Sequence, residues 1–206
     1  LAPSTVQETV NLTYRAFHLA MKYRTPVILL ADGILGQMME PVEFGEYPYE
    51  KIDTSTWALS GVKNREPRFL VSLHMMEGEM EALTNKIFAK HELIAREETT
   101  YEAYQTEDAD LVITAFGTVA RVAKAAVKKA RENGYKAGLF RPVTLVPFPE
   151  KALHETAKSA KMVLDIEMNM GQMLVDVRSA VFGAAPVEFY GRPGGGLITL
   201  EDIYEQ

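Results

Sequence analysis

The fold class of this chain is decided by residues 110–134, which read DLVITAFGTVARVAKAAVKKARENG. Residues 110–116 are a short, mostly apolar run that predicts a buried strand, and Gly117 ends it. Small apolar side chains then recur at helical spacing, which predicts a helix that packs closely on a sheet. Asn133-Gly134 is typical of a helix C-terminus. Strand, turn and helix in this order are the repeating unit of a parallel α/β sheet.

Strands and helices continue to alternate after this unit. We predict a helix that follows Pro147 and Pro149 and runs through Lys158. Further predicted strands cover 137–140, 162–166 and 187–190, and a further predicted helix covers 171–182. Short strands separated by single helices favour a mainly parallel sheet with crossover helices. We therefore assign residues 105–206 to one α/β domain.

Residues 1–44 predict the end of another α/β unit. Thr5-Val6-Gln7-Glu8 has the pattern of a capping box, and the apolar stripe behind it predicts a helix that ends near Tyr23. Residues 27–31 are a continuous apolar run that predicts a buried parallel strand. Its partner strands are not in the sequence, and the first residue is Leu1 rather than Met. We expect that a further segment precedes this one in the complete protein.

Residues 45–104 predict a linker followed by a connecting helix. Several prolines and glycines between 41 and 70 leave no regular hydrophobic period. An amphipathic helix is then predicted to run to about Glu98. Its apolar positions are Met76, Met80, Leu83, Ile87 and Ile94.

Composition excludes several classes of function. The net charge is −6, whereas nucleic-acid binding needs a strongly basic face, so we predict no nucleic-acid partner. The chain has no cysteine, which rules out disulfides and iron–sulfur ligation within it and fits a cytoplasmic location. No apolar run approaches the ~18–20 residues that span a membrane.

The histidines and glycines carry no metal or nucleotide motif. The four histidines stand at no metal-ligand spacing, so we predict no metal site. The glycine-rich run 191–196 follows a strand but does not fit the dinucleotide-binding spacing. For this run, a turn or close interface packing is favoured over ligand contact.

Polar residues follow the ends of the predicted strands, at the sheet edge where ligands and partners meet parallel sheets. Arg141 ends the neighbouring strand at the same edge, where it could pair with Glu167. Helix capping and domain-interface roles are favoured over direct ligand binding. The candidate interface or site-facing residues are Asp32, Gln37, Arg141, Glu167, Asn169, Gln172 and Arg192.

Six short motifs, taken in order, resemble the alpha subunit of 2-oxoacid:ferredoxin oxidoreductases. The similarity is strongest to the branched-chain (2-oxoisovalerate) type, with the 2-oxoglutarate type next. The motifs are Asp32-Gly33-Ile34-Leu35-Gly36-Gln37-Met38, Glu107-Asp108-Ala109-Asp110, Gly117-Thr118-Val119-Ala120-Arg121, Gly138-Leu139-Phe140-Arg141-Pro142, Glu167-Met168-Asn169-Met170-Gly171-Gln172 and Glu188-Phe189-Tyr190-Gly191-Arg192.

The resemblance implies that the chain is a carboxy-terminal part of such a subunit. Residues 1–44 would end a thiamine-diphosphate pyrimidine-type domain, and residues 105–206 would form a transketolase C-terminal-like domain. The implied reaction is oxidative decarboxylation of a 2-oxoacid to an acyl-coenzyme A, with electrons passed to ferredoxin. It uses thiamine diphosphate, Mg²⁺ and iron–sulfur clusters, with coenzyme A as co-substrate.

The resemblance also implies that the catalytic groups lie outside this chain. The carboxylate that activates the cofactor lies earlier in the alpha subunit, and the diphosphate and Mg²⁺ motif lies on the beta subunit. We therefore expect a hetero-oligomer with beta and gamma or delta subunits, in which this part alone is inactive. Two alternatives stay open: the same chemistry on 2-oxoglutarate, or a non-catalytic dimerisation or interaction domain.

Overall fold

The computed structural model describes all residues from Leu1 to Gln206. A short 3₁₀ turn covers Leu35–Gln37. The helices are α1 (Val6–Tyr23), α2 (Glu79–Glu98), α3 (Gly117–Glu132), α4 (Glu150–Ala157), α5 (Leu174–Val181) and α6 (Leu200–Tyr204), and the strands are β1 (Tyr101–Tyr104), β2 (Leu111–Thr114), β3 (Ala137–Pro142), β4 (Met162–Glu167) and β5 (Val187–Gly191).

The five strands form one sheet in the order β1-β3-β2-β4-β5. The four later strands pair in parallel, as the alternation of strands and helices predicts. Only β1 is antiparallel, with Tyr101 opposite Pro142. The predicted mainly parallel α/β fold is therefore confirmed. β1 itself was not predicted, because it is a four-residue edge strand inside the segment assigned to the linker.

Helices cover both faces of this sheet. On one face, α3 and α6 pack on side chains such as Leu139 and Ile166. On the other face, α4 and α5 pack on side chains such as Phe140 and Val163. Neighbouring residues of one strand point to opposite faces, so β3 is buried along its whole length.

Helix α1 begins as predicted, although its cap differs from the expected pattern. Thr5 Oγ1 accepts the Glu8 amide at 3.0 Å. The Glu8 carboxylate, however, accepts the amide and hydroxyl of Ser4 at 2.7 and 2.9 Å, not the amide of Thr5. The capping box is thus half formed, because Glu8 also turns toward the sheet domain.

The predicted buried strand at residues 27–31 is wrong. This segment is extended, but Ile28 and Leu30 are 73% and 48% exposed. Its only strand-like pairing is two backbone hydrogen bonds with Leu1, both at 2.8 Å. The terminal amine of Leu1 donates to the Ile28 carbonyl, and the Leu30 amide donates to the Leu1 carbonyl. An apolar run is buried as a strand only where neighbouring strands flank it, and none flanks this one.

Residues 38–75 contain no helix or strand, and α2 follows them. The predicted helix is present, but none of its residues is buried. Its C-terminal end is tied to α1, since Glu98 lies 2.8 Å from Lys22 and accepts the Tyr23 hydroxyl at 2.6 Å. No helix of the chain is both long and apolar enough to cross a membrane.

Candidate functional site at the junction of residues 1–40 with the sheet domain

The predicted site residues do not form one cluster. Glu167, Asn169 and Gln172 lie together at the N-terminus of α5. Arg141 and Asp32 each join residues 1–40 to the sheet domain. The other two candidates, Gln37 and Arg192, are taken up separately below.

Glu167 caps α5 from the end of β4. It is 1% exposed. Its carboxylate accepts the amides of Met173 and Leu174 at 3.0–3.1 Å. Met173, at the N-cap position, offers no side-chain cap of its own. The Glu167 carboxylate also lies next to the positive end of the helix dipole, and this placement stabilises the start of α5.

Asn169 fixes the loop between β4 and α5. Its Nδ2 donates to Glu167 at 2.8 Å, and its Oδ1 accepts the amides of Gly171 and Gln172 at 2.7 and 3.0 Å. Gln172 takes part only through its backbone, and its side chain is exposed. The capping role that the sequence favoured for Glu167 and Asn169 is therefore what the geometry shows.

Asp165 is a buried acid beside this cap that the sequence analysis did not single out. It is 0% exposed. Thr114 donates to its Oδ1 at 2.8 Å, and its Oδ2 has no partner. Burial raises the pKa of Asp165 to about 8, and the nearby Glu167 carboxylate acts in the same direction. An aspartate inside an otherwise apolar strand was the available signal.

The pairing of Arg141 with Glu167 that the sequence suggested does not form. The side chain of Arg141 is 8% exposed and binds Glu8 with both terminal nitrogens, at 2.8 and 2.9 Å. Its Nε donates to Glu102 at 3.0 Å. β2 lies between β3 and β4 in the sheet. That strand separates Arg141 from Glu167.

This ion pair shifts the pKa of Glu8. Burial would raise that pKa, but the hydrogen bonds from Arg141 and Ser4 outweigh burial and hold it below its ordinary value. Glu8 is therefore charged at neutral pH. The two-point guanidinium contact also fixes the orientation of α1 against β3.

Asp32 caps α3 from outside the helix. Its carboxylate accepts the amide and hydroxyl of Thr118, both at 2.8 Å, and the amide of Leu35 at 2.8 Å. Burial would raise the pKa of Asp32, but these hydrogen bonds outweigh burial and hold the pKa below its ordinary value. Gly117 has φ +62°, and a Cβ there would lie 2.9 Å from Asp32 Oδ2. Only glycine fits this approach without strain.

A third carboxylate completes the junction, by which we mean the contacts of Glu8, Asp32 and Glu40 with the sheet domain. Glu40 lies 2.8 Å from Arg121 on α3 and accepts the Val6 amide at 3.1 Å. Sequence reasoning missed Glu40, because an isolated acid in a loop gives no pattern. The junction borders a cavity of about 440 Å³ whose lining includes Ser4, Glu102, Lys124 and Arg141.

Gln37 and Arg192 have local roles. Gln37 is exposed, and its amide donates to the Ile34 carbonyl in the 3₁₀ turn. Arg192 folds back over the glycine run, with Nη1 2.6 Å from the Leu197 carbonyl and 3.2 Å from Asp202. A Cβ at Gly191 would lie 2.6 Å from the Asn169 carbonyl. The glycine run thus makes a tight turn, as the sequence favoured.

The donor set of this chain does not fit Mg²⁺ or an iron–sulfur cluster. No group of three or more His, Asp or Glu side chains is placed to hold a metal ion. Asp32, the acid of the Asp32-Gly33 pair, already accepts three hydrogen bonds. Without cysteine the chain offers no thiolate to a cluster.

Two family models cover nearly all of the chain. Residues 1–112 match the thiamine diphosphate-binding model of pyruvate flavodoxin/ferredoxin oxidoreductases. Residues 109–203 match core domain II of pyruvate:ferredoxin oxidoreductase. The chain therefore belongs to the pyruvate flavodoxin/ferredoxin oxidoreductase family, and the family named by the sequence resemblance is confirmed.

Two individual relatives are similar to this chain over nearly its whole length. The ketoisovalerate oxidoreductase subunit VorB of Methanothermobacter marburgensis is 42% identical over 203 residues, which are 98% of this chain and 57% of that protein. The 2-oxoglutarate synthase subunit KorA of the same organism is 32% identical over 234 residues, covering 98% of this chain and 61% of that protein. The chain thus spans about three fifths of these relatives. Its placement in their carboxy-terminal part stays a prediction.

A solved structure shares the fold. The 2-oxoglutarate:ferredoxin oxidoreductase from Magnetococcus marinus superposes with a TM-score of 0.80 over 100% of this chain and 41% of that chain, at 21% identity. The structure of that enzyme contains 2-oxoglutarate, coenzyme A and succinyl-CoA. The domain boundaries predicted at 44 and 104 stay a prediction.

Proposed function

We propose that this chain is part of a subunit of an enzyme complex that oxidatively decarboxylates 2-oxoisovalerate, or a related branched 2-oxoacid, to its acyl-coenzyme A. Ferredoxin is the proposed electron acceptor. The observation that carries the proposal is the 41–42% identity to two ketoisovalerate oxidoreductase subunits over 98–100% of the chain. Identity to 2-oxoglutarate synthase subunits is 30–32%, so 2-oxoglutarate is the second candidate acid.

In this proposal the chain positions the structural elements around the cofactor, and none of its side chains takes part in the reaction. Thiamine diphosphate supplies the carbanion chemistry when bound. The residues of this chain orient two regions, because Glu8, Asp32 and Glu40 fix residues 1–40 on the sheet domain. None of these carboxylates is free to act as a base, since each one accepts hydrogen bonds from the other side of the junction.

In this proposal the remaining parts of the site come from the earlier part of the same subunit and from other subunits. Beta and gamma or delta subunits supply the Mg²⁺ ligands and the cysteines of the iron–sulfur clusters, which this chain lacks. Coenzyme A is the acyl acceptor and ferredoxin the electron partner of the assembled complex. Its proposed location is the cytoplasm. Within the enzyme, this chain therefore acts as an interaction domain that carries no catalytic groups.

The experiment is dye reduction by the intact complex that carries the full-length subunit. A viologen dye replaces ferredoxin, and 2-oxoisovalerate, 2-oxoglutarate and pyruvate are compared with and without coenzyme A. We expect coenzyme A-dependent reduction that is fastest with 2-oxoisovalerate. Preference for 2-oxoglutarate would overturn the proposed substrate. No reduction with any acid, in a complex shown to retain its clusters, would overturn the proposed reaction.

A further inference from the structure

Two buried carboxyl groups lie on the same face of β4, at its C-terminal end. Asp165 and Glu167 are two residues apart on this strand, so both side chains point to the face that α4 and α5 cover. Asp165 is 0% exposed and Glu167 is 1% exposed. Two ionised carboxylates this close together in a dry site repel strongly, which favours a proton on one of them. We call Asp165 and Glu167 the acid pair.

The hydrogen-bond partners identify which carboxyl holds the proton. The Glu167 carboxylate accepts donors from the loop that follows it and from the first amides of α5. Asp165 has a single donor, the Thr114 hydroxyl at Oδ1, and its buried Oδ2 has no acceptable donor in the chain. A proton on Oδ2 supplies the hydrogen bond between Asp165 and Glu167 and leaves no atom of the pair without a partner.

The groups around the acid pair offer little compensation for a second negative charge. From α5, Asp176 adds another acid, and Arg178 is exposed, so that its positive charge is screened by solvent. From α4, His154 points its Nδ1 at a backbone carbonyl of α5, at 2.9 Å. The residues in register with Asp165 on β2 and β5 are Thr114 and Phe189, and neither carries a charge.

The acid pair holds the loop between β4 and α5 in place. Glu167 accepts the amide of Leu174 in the first turn of α5 and the Nδ2 of Asn169, which in turn accepts the Gly171 amide. The middle of the loop has few other supports, since Met170 is 78% exposed. α5 is only eight residues long. Opening of such a short segment requires less free energy than unfolding of the sheet.

We propose that the acid pair shares one proton and acts as a pH-sensitive switch for the order of the β4–α5 loop. With the proton present, Glu167 stays over the start of α5 and the loop is ordered. Without it, two carboxylates face each other in a buried site. Asp165 cannot turn away, because its strand is paired with β2 on one side and β5 on the other. Glu167 ends the strand, so it is the side chain that leaves.

The switch lies at the carboxyl ends of the parallel strands, the edge of a sheet where ligands and partners bind. Movement of Glu167 releases the first amides of α5 and the loop residues that Asn169 holds. The state of one buried proton therefore determines whether this edge of the sheet domain is ordered.

A fluorophore on Met170→Cys measures the order of the loop in the 206-residue chain. The chain has no cysteine, so the labelled thiol is unique. We expect the anisotropy of the label to fall as pH rises through about 8, the value to which burial raises the pKa of Asp165. The same label on Tyr135→Cys, an exposed site before β3 at the other end of the sheet, is the matched control. An equal change at both sites would indicate global unfolding and overturn the local switch.

Substitutions in the acid pair separate it from every other titrating group. In Asp165→Asn the amide can accept from Thr114 and donate to Glu167, so it reproduces the protonated form at every pH. We expect the Met170→Cys label to stay ordered throughout the titration of this variant. Thr114→Val removes the donor that favours the charged form of Asp165, so the midpoint should move to higher pH. An unchanged transition in Asp165→Asn would overturn the proposal.

Infrared spectroscopy observes the shared proton directly, because a protonated carboxyl and a carboxylate absorb at different frequencies. We expect a protonated-carboxyl band at neutral pH that disappears above the midpoint of the loop transition. The band should be absent from Asp165→Asn and kept in Asp176→Asn, the matched control on α5. Absence of the band from the unsubstituted chain at neutral pH, or its loss in Asp176→Asn, would overturn the shared proton.

Discussion

At the scale of single residues, the buried carboxyl of Asp165 makes the stability of the chain depend on pH. Its pKa is raised to about 8 in the folded chain, from an ordinary value of 3.8. The folded state therefore holds a proton that the unfolded state loses between these values. The contribution to the free energy of unfolding is fully present at low pH and is lost as pH rises toward about 8.

Asp165→Asn should flatten this dependence. The amide keeps the shape of the side chain but does not titrate, so the loss of stability between pH 5 and pH 8 should shrink by as much as about 1.4 kcal/mol per pH unit. Urea unfolding at both pH values measures the change. Asp110→Asn, a half-exposed acid, is the control. An equal slope in wild type and Asp165→Asn would contradict the protonated state.

Arg141 is the residue whose loss should cost the most at the junction. Arg141→Ala leaves Glu8 partly buried without its partner, and we expect a loss of about 2–4 kcal/mol in the free energy of unfolding. Arg141→Lys keeps the charge but loses the two-point contact, so its loss should be smaller, about 1–2 kcal/mol. Chemical unfolding of the three proteins compares them. Equal effects would show that the fork geometry contributes nothing.

The sequence pointed to Arg141 but not to its partner. An arginine at a strand end predicts a polar contact at the sheet edge, whereas the choice between Glu8 and Glu167 depends on strand order. Strand order is set by packing of elements far apart in the chain, and single-residue patterns carry no information on it. Asp32 was identified for the same local reason, and nothing in the sequence indicated that its partner is Thr118.

At the scale of elements, α5 depends on a carboxylate that is not part of the helix. Glu167→Ala should leave the buried amides of Met173 and Leu174 without an acceptor, which costs about 2–3 kcal/mol. Glu167→Gln keeps one acceptor oxygen and should cost less. Hydrogen exchange measures the loss of protection of the α5 amides, and the α3 amides serve as the internal control. Equal loss of protection in both helices would indicate global unfolding instead of a lost cap.

The elements of the sheet domain were predictable because their patterns are strong. β2, β3, β4 and β5 are short, mainly apolar segments that are each followed by a helix, and each predicted strand overlaps the observed one. β1 failed because its four residues alternate in burial at a sheet edge, which gives too short a pattern. Residues 27–31 failed for the opposite reason. Their composition is that of a central strand, but no strand of this chain flanks them on either side.

At the scale of the whole molecule, the isolated chain should not bind thiamine diphosphate. It offers no cluster of acidic side chains for Mg²⁺, and the carboxylate of Asp32 is already taken up by hydrogen bonds. Titration calorimetry of the 206-residue chain with thiamine diphosphate and Mg²⁺ should show no heat of binding, whereas the intact complex should bind. Measurable binding by the isolated chain would contradict the placement of the cofactor ligands outside residues 1–206.

The junction also sets the order in which the chain can assemble. Arg141 and Glu8 are separated by 133 residues, and Asp32 and Thr118 by 86. The contacts of α1 with β3 can therefore form only after the intervening residues have been made. Closing loops of this length is slow compared with forming the nearer contacts of the sheet. Pulse-labelled hydrogen exchange during refolding should find β2 and β3 amides protected before those of α1, because the contacts that fix α1 on the sheet close a much longer loop.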